Sequence, residues 1–292
     1  MKLNFLDLIK QKFKNISRRA FSLNDLSVLM STVAIVAVSS VAISNIQNSE
    51  EKEKADSEKI EAIYKSIGSF LLEKKRLPCP AGIERIRGTD VDYGAELRNP
   101  DGSCSSQGGV YSLVTGSLAN PAGNLLYGTI PTQALGLTSD FSQDQYGTKI
   151  VYVVDKRATN IDTIGAIPEP SIQNPLISIK ENGVMISTDS IFAILTVGKD
   201  KAGGFNYNSS TYNLLSTNLN EMDNSFLVID TVLKKMLVSD YVFVKSINTD
   251  LAFNDTLFSK DRNSLINDYK ADFLIPCRNA GANYQYLKSL FY

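Results

Sequence analysis

Histidine and tryptophan are absent from this 292-residue chain. Losing histidine removes the commonest general base and metal ligand, and with it any Ser–His or Cys–His nucleophile pairing. Composition therefore points away from enzymes. Charge imbalance is also missing: the net charge is −1, which gives no electrostatic reason to expect nucleic acid as a partner. Gly198-Lys199 lacks the upstream glycine of a phosphate-binding loop. Cysteine is scarce, with Cys79, Cys104 and Cys277 only. In an exported chain an odd count suggests one disulfide and one leftover thiol. Cys79 with Cys104 would close a short, polar, Gly-rich loop, a closure worth about 3 kcal/mol in chain entropy. Three buried free thiols are the alternative. Cys79, set between Pro78 and Pro80, reads as structural rather than nucleophilic.

What the chain does have is a polarised front end. Residues 1–20 carry Lys2, Lys10, Lys12, Lys14, Arg18 and Arg19 against the single acid Asp7. That local excess of +5 leaves −6 for the remainder of a chain whose total is −1. No charged residue occurs from Leu26 to Asn48. Residues 26–46, as a helix rising 1.5 Å per residue, would span about 31 Å, one hydrocarbon thickness. Ser31, Thr32, Ser39 and Ser40 suit packing against other helices. The positive-inside rule then places residues 1–20 in the cytoplasm and everything after 48 outside.

Residues 49–76 are charged and nearly free of glycine. Glu50–Lys54 and Glu61–Lys65 are acid-before-base pairs at i,i+4. Ile60, Ile63, Tyr64, Ile67 and Leu71 recur at helical spacing. Leu77-Pro78 stops the pattern. The simplest expectation is one helix from about Leu23 to Arg76, with a solvated linker over 50–60 as the alternative. Beyond it, Lys149–Val154, Ser190–Val197, Asn224–Ile229 and Tyr241–Lys245 read as strands. Residues 83–124 and 198–223 read as polar loops, 155–190 as a Pro-rich insertion ending in a hairpin at Asn182-Gly183, and Asn263–Tyr269 as a short helix.

The stretch Ala20-Phe21-Ser22-Leu23-Asn24-Asp25 resembles the prepilin signal of type IV pilins and type II secretion pseudopilins. By that resemblance a prepilin peptidase would cut between Ala20 and Phe21. Phe21 would become the N-methylated first residue, and Asp25 the fifth-position acid that pairs with a neighbouring subunit's free α-amine. Three further patches resemble pseudopilin-like heads: Leu77-Pro78-Cys79-Pro80-Ala81, Gly128-Thr129-Ile130-Pro131 running on to Leu135-Gly136-Leu137, and Asp144-Gln145-Tyr146-Gly147 with the strand after it. Asp90/Asp92 and Asp140/Asp144 are acidic pairs of the kind that bind Ca²⁺ in some such heads. Ordinary solvated turns are the simpler reading, and no metal or cofactor is expected.

Together these readings predict an α+β protein. A long N-terminal helix, half in the membrane and half against the head, would carry an antiparallel β-sheet. The expected segments are a leader (1–20), a transmembrane helix (21–48), its extramembrane half (49–76), a β head (77–245) and an unassigned extension (246–292). The resemblance implies a non-catalytic pilin-like subunit or minor pseudopilin of a type II secretion or type IV pilus assembly. It would sit in a bacterial inner membrane by a single pass, with its head in the periplasm. Its partners would be a prepilin peptidase, other pilin-like subunits and the lipid bilayer. Two other readings share the front end. Ser17-Arg18-Arg19-Ala20-Phe21 looks like a twin-arginine signal for a secreted periplasmic protein, with Ala42-Ile43-Ser44 as its cleavage site. An uncleaved bitopic protein with an interaction head is the other.

Overall fold

Helix α1 (51–74) forms where one apolar stripe meets a charged outer face. Ile60, Ile63, Ile67, Phe70 and Leu71 are all buried, and each fully buried side chain of this size contributes about 2 kcal/mol. On the outer face Lys65 pairs with Glu61 at 2.7 Å and Lys54 reaches Glu58 at 3.9 Å. The helix ends when Lys75 adopts φ 59° and its N–H bonds back to the Leu71 carbonyl at 2.8 Å, a left-handed cap filled by lysine instead of glycine. The structure, a computed structural model, describes residues 51–121, 123–160, 176–215, 219–245, 255–261, 263–265 and 267–268.

Nine strands follow: β1 (Tyr111–Thr115), β2 (Leu125–Thr129), β3 (Val151–Asp155), β4 (Ile177–Glu181), β5 (Val184–Thr196), β6 (Val228–Asp230), β7 (Lys235–Val238), β8 (Val242–Lys245) and β9 (Thr256–Asp261). A short helix, α2 (Leu219–Asp223), precedes β6. All nine join one sheet in the order β6-β7-β1-β2-β3-β5-β4-β8, with β9 paired to β5 off that path. The sheet curls into a half-barrel. Its centre is β5: Phe192–Leu195 pairs with β3 on one edge and β9 on the other, while its N-terminal half pairs with β4. Asn182 and Gly183 link β4 to β5 with φ 54° and 74°, the two positive values a type I′ hairpin turn requires.

Both faces of this sheet are covered, and the alternation of side chains sorts them. On β3, Tyr152 and Val154 join Ile60, Ile63, Ile67 and Leu71 of α1 in one apolar cluster. Val151 and Val153 point the other way, into a second cluster with Leu113, Tyr127, Phe205, Phe226 and Phe243. Double-sided burial explains the unbroken apolar runs Ile150–Val154 and Ile191–Leu195.

Two sequence expectations are corrected here. The first is the α+β plan of a long helix over an antiparallel sheet. The described chain is mostly β, with one helix of seven or more residues, 51–74. The sheet is mixed, because β1 pairs β7 and β4 pairs β8 in parallel. The physical reason is that Gly- and Ser-rich segments read as loops, 83–124 among them, contribute central strands such as β1. The second is the single-pass inner-membrane placement. Among the described residues no helix is long and apolar enough to cross a membrane. The one described helix of seven or more residues, α1, carries charge along its outer face. The apolar stretch 26–46, with Ala20, Phe21 and Asp25, lies outside the described residues, as does Cys277.

Candidate functional site

The segment leaving α1 is fastened by charge before it reaches the sheet. Arg76 donates two parallel hydrogen bonds to the Glu96 carboxylate, at 2.6 and 2.8 Å, and stacks on the Phe70 ring at 4.9 Å. Glu96 also accepts the Cys79 N–H at 2.8 Å. Cys79 is joined to Cys104 in a disulfide, with the Cα atoms 5.5 Å apart and the two residues 25 positions apart in sequence. Arg98 lies 3.8 Å from Glu96 and donates to the Thr159 carbonyl at 3.3 Å. Pro78, Cys79, Pro80 and Ala81 are thus held between these contacts.

Ala81 then bridges to Thr129 by two backbone hydrogen bonds, of 3.0 and 2.9 Å. Thr129 donates its hydroxyl to the Ile150 carbonyl at 2.7 Å, and Tyr152 donates to the Pro78 carbonyl at 3.3 Å. At Gly128 the backbones close so tightly that a Cβ would lie 2.4 Å from the Ala81 oxygen and 2.7 Å from Pro80 Cβ. Gly128→Ala should therefore cost about 2–3 kcal/mol, an overpacking penalty that neighbouring backbone cannot relieve. Gly183→Ala, where a Cβ meets open space but φ is positive, should cost only about 1 kcal/mol. Urea unfolding of the two variants checks the ranking.

The third element is the turn at 143–149. Asp144 is buried and accepts from the amides of Tyr146 at 2.9 Å and Thr148 at 2.8 Å, and from the Thr148 hydroxyl. From α1, Asp56 accepts the Gln145 N–H at 2.9 Å and Lys59 donates to the Gln143 carbonyl at 2.6 Å. Lys149, fully buried, gives its ammonium to the carbonyls of Ile83, Arg85 and Ser209 at 2.6, 2.8 and 2.9 Å. Burial lowers that ammonium to about 8, while the charges of Asp90 and Glu84 act in the opposite direction. All four groups tie helix, loop and strand together through backbone partners.

Against this geometry no family model matches the chain, no curated protein does, and no solved structure does. The site is therefore read from its own residues. Of those singled out in the sequence, Cys79 and Cys104 meet in the charged knot, whereas Ala20, Phe21 and Asp25 lie outside the described residues. The acidic pairs do not converge on a cation. Asp90 accepts the Ile86 N–H, Asp92 pairs with Arg85 at 2.9 Å, and Asp140 pairs with Arg87 at 2.7 Å. Among the described residues no group of three or more His, Cys, Asp or Glu is placed to hold a metal.

Sequence reasoning passed over Asp56, Arg76, Glu96 and Lys149. Two of these left a signal. Asp56 falls in the register of Ile60, Ile63 and Ile67, an acid on an apolar stripe. Lys149 opens an apolar strand run, where a lysine needs a partner of its own. Arg76 and Glu96 are 20 residues apart and offered none.

Proposed function

We propose that this chain is a pilin-like subunit or minor pseudopilin, a structural part of a type II secretion or type IV pilus assembly. The observation carrying the reading is that three separated motifs are fastened to one another and to α1. Leu77–Ala81 meets the Gly128-Thr129 pair through the Ala81–Thr129 bridge. The Asp144–Gly147 turn receives α1 through Asp56. Those residues make the seat on which a helix holds a β head. In the proposed role, Phe21 is the first residue of the processed chain, and Asp25 pairs with the free α-amine of a neighbouring pilin-like subunit. The head then presents its loops to partners. Charged groups inside the seat are engaged by backbone or by one another, which suits a load-carrying part.

Processing by a prepilin peptidase tests the proposal. Expressed with the peptidase, the full chain should lose 20 residues and begin at Phe21. Without the peptidase it should keep Met1. Cleavage after Ser44 in cells lacking the peptidase would overturn the reading in favour of an export signal. N-terminal sequencing distinguishes the outcomes.

A further inference from the structure

Asp56 is an acid on the apolar side of α1, only 2% exposed. Its Oδ1 accepts the Gln145 N–H at 2.9 Å. Asp144, 4% exposed, acts on it from the turn. Donors are shared unequally between these two carboxylates. Burial raises the Asp144 carboxyl, but Asp144 holds the amides of Tyr146 and Thr148 and the Thr148 hydroxyl, which favour its ionised form and which Asp56 lacks.

Three more charges reach this corner. Lys59 donates to the Gln143 carbonyl, Lys52 sits 5.0 Å above the Tyr146 ring, and Asp140, held by Arg87, acts on Lys59. The two lysines attract the Asp56 charge, but desolvation and Asp144 oppose it more strongly. When two neighbouring carboxyl groups are buried, the one with fewer donors keeps the proton.

We infer that Asp56 and Asp144 form a proton-operated latch between the start of α1 and the 143–148 turn. With Asp56 neutral the helix start is docked. With Asp56 ionised, two like charges share a buried corner and the first two turns of α1 come away from the head. Burial, and then the Asp144 charge, push the Asp56 carboxyl up to about 7. An undocked Asp56 returns towards the ordinary aspartate value, near 4. The proton therefore belongs to the docked state. Docking is strongest below pH about 4, weakens as pH rises towards about 7, and changes little above that. The latch stands on the head's own geometry, and it holds whether or not the chain is a pilin-like subunit.

Amide hydrogen exchange on the full chain, corrected for the intrinsic rate at each pH, tests it. Between about pH 4.5 and pH 7.5 the protection of 56–60 and of the Gln145 amide should fall at least about tenfold, the equivalent of one pKa unit. In Asp56→Asn the amide side chain can still accept from Gln145 but carries no charge, so protection should stay level across the same range. Level protection in the unmodified chain, or a wild-type decline in Asp56→Asn, would overturn the latch. If Asp56→Asn fails to fold, the ¹³C carboxyl resonance of Asp56 in the unmodified chain decides. A midpoint near 7 supports the latch and one below about 5 refutes it.

Discussion

Arg76→Ala should lower the stability of the head by about 3–4 kcal/mol, far more than loss of any surface ion pair. Both partners are mostly buried, with side-chain exposures of 15% for Arg76 and 12% for Glu96. Truncation removes two short charge-assisted hydrogen bonds and the stack on Phe70, and leaves Glu96 desolvated with the Cys79 amide and a more distant Arg98. The larger part of the loss is that stranded carboxylate. Glu96→Gln placed on top of Arg76→Ala should therefore recover some stability, with a coupling of about 2 kcal/mol in a double-mutant cycle. Lys65→Ala, whose pair with Glu61 is mostly exposed, should change stability by less than about 0.5 kcal/mol. Because Glu96 also holds the Cys79 N–H, Arg76→Ala should speed reduction of the Cys79–Cys104 bond by dithiothreitol. Urea unfolding and thiol-release kinetics measure the two effects. Equal stability of Arg76→Ala and Lys65→Ala would refute the account of the knot.

How far the sequence discloses this molecule follows from the range of each interaction. Helix α1 was legible because its stripe repeats within a few residues and Pro78 marks its end. Strand β3 and the C-terminal half of β5 were legible for the same reason, as was the Asn182-Gly183 hairpin. Strand β1 was not. Tyr111–Thr115 lies among glycines and serines, and its pairing with β7 joins residues more than a hundred positions apart. The β4–β8 pairing, from Ser178 to Val242 onward, is also non-local, across 64 positions. Strand β9, drawn from the stretch the sequence left unassigned, pairs along the C-terminal half of β5. Parallel and long-range pairings leave no periodicity to read, so the sheet's mixed order emerges only from the fold.

The candidate site divides along the same line. Cysteine arithmetic and loop length pointed to Cys79 with Cys104, because both cues are written locally. Asp56 and Gln145 are 89 positions apart, and Lys149 finds its carbonyls at Ile83, Arg85 and Ser209. A sequence scan sees only an acid on a stripe and a lysine beside a strand. The fold supplies the reason each is tolerated.

Ile67→Ala should be the most damaging single truncation on α1, at about 3–4 kcal/mol. Ile67 is fully buried and belongs to the cluster that includes Tyr152, Val154, Phe192 and Ile194. Removing three carbons leaves a cavity between a helix and a sheet already covered on its other face, so neither layer can easily close the gap. The sign of the effect separates a docked helix from an exposed one. On an exposed helix, isoleucine to alanine raises helix propensity and should stabilise by a few tenths of a kcal/mol. In the docked helix the same substitution is strongly destabilising. Ile67→Val, which deletes one methyl, should cost about 1 kcal/mol. A head of this size should lose roughly 2–4 °C in Tm per kcal/mol. Thermal unfolding should therefore place Ile67→Ala about 6–16 °C below the unmodified chain, with Ile67→Val between them. A variant as stable as the parent would mean that α1 does not rest on the sheet, and the seat proposed for it would be lost with that contact.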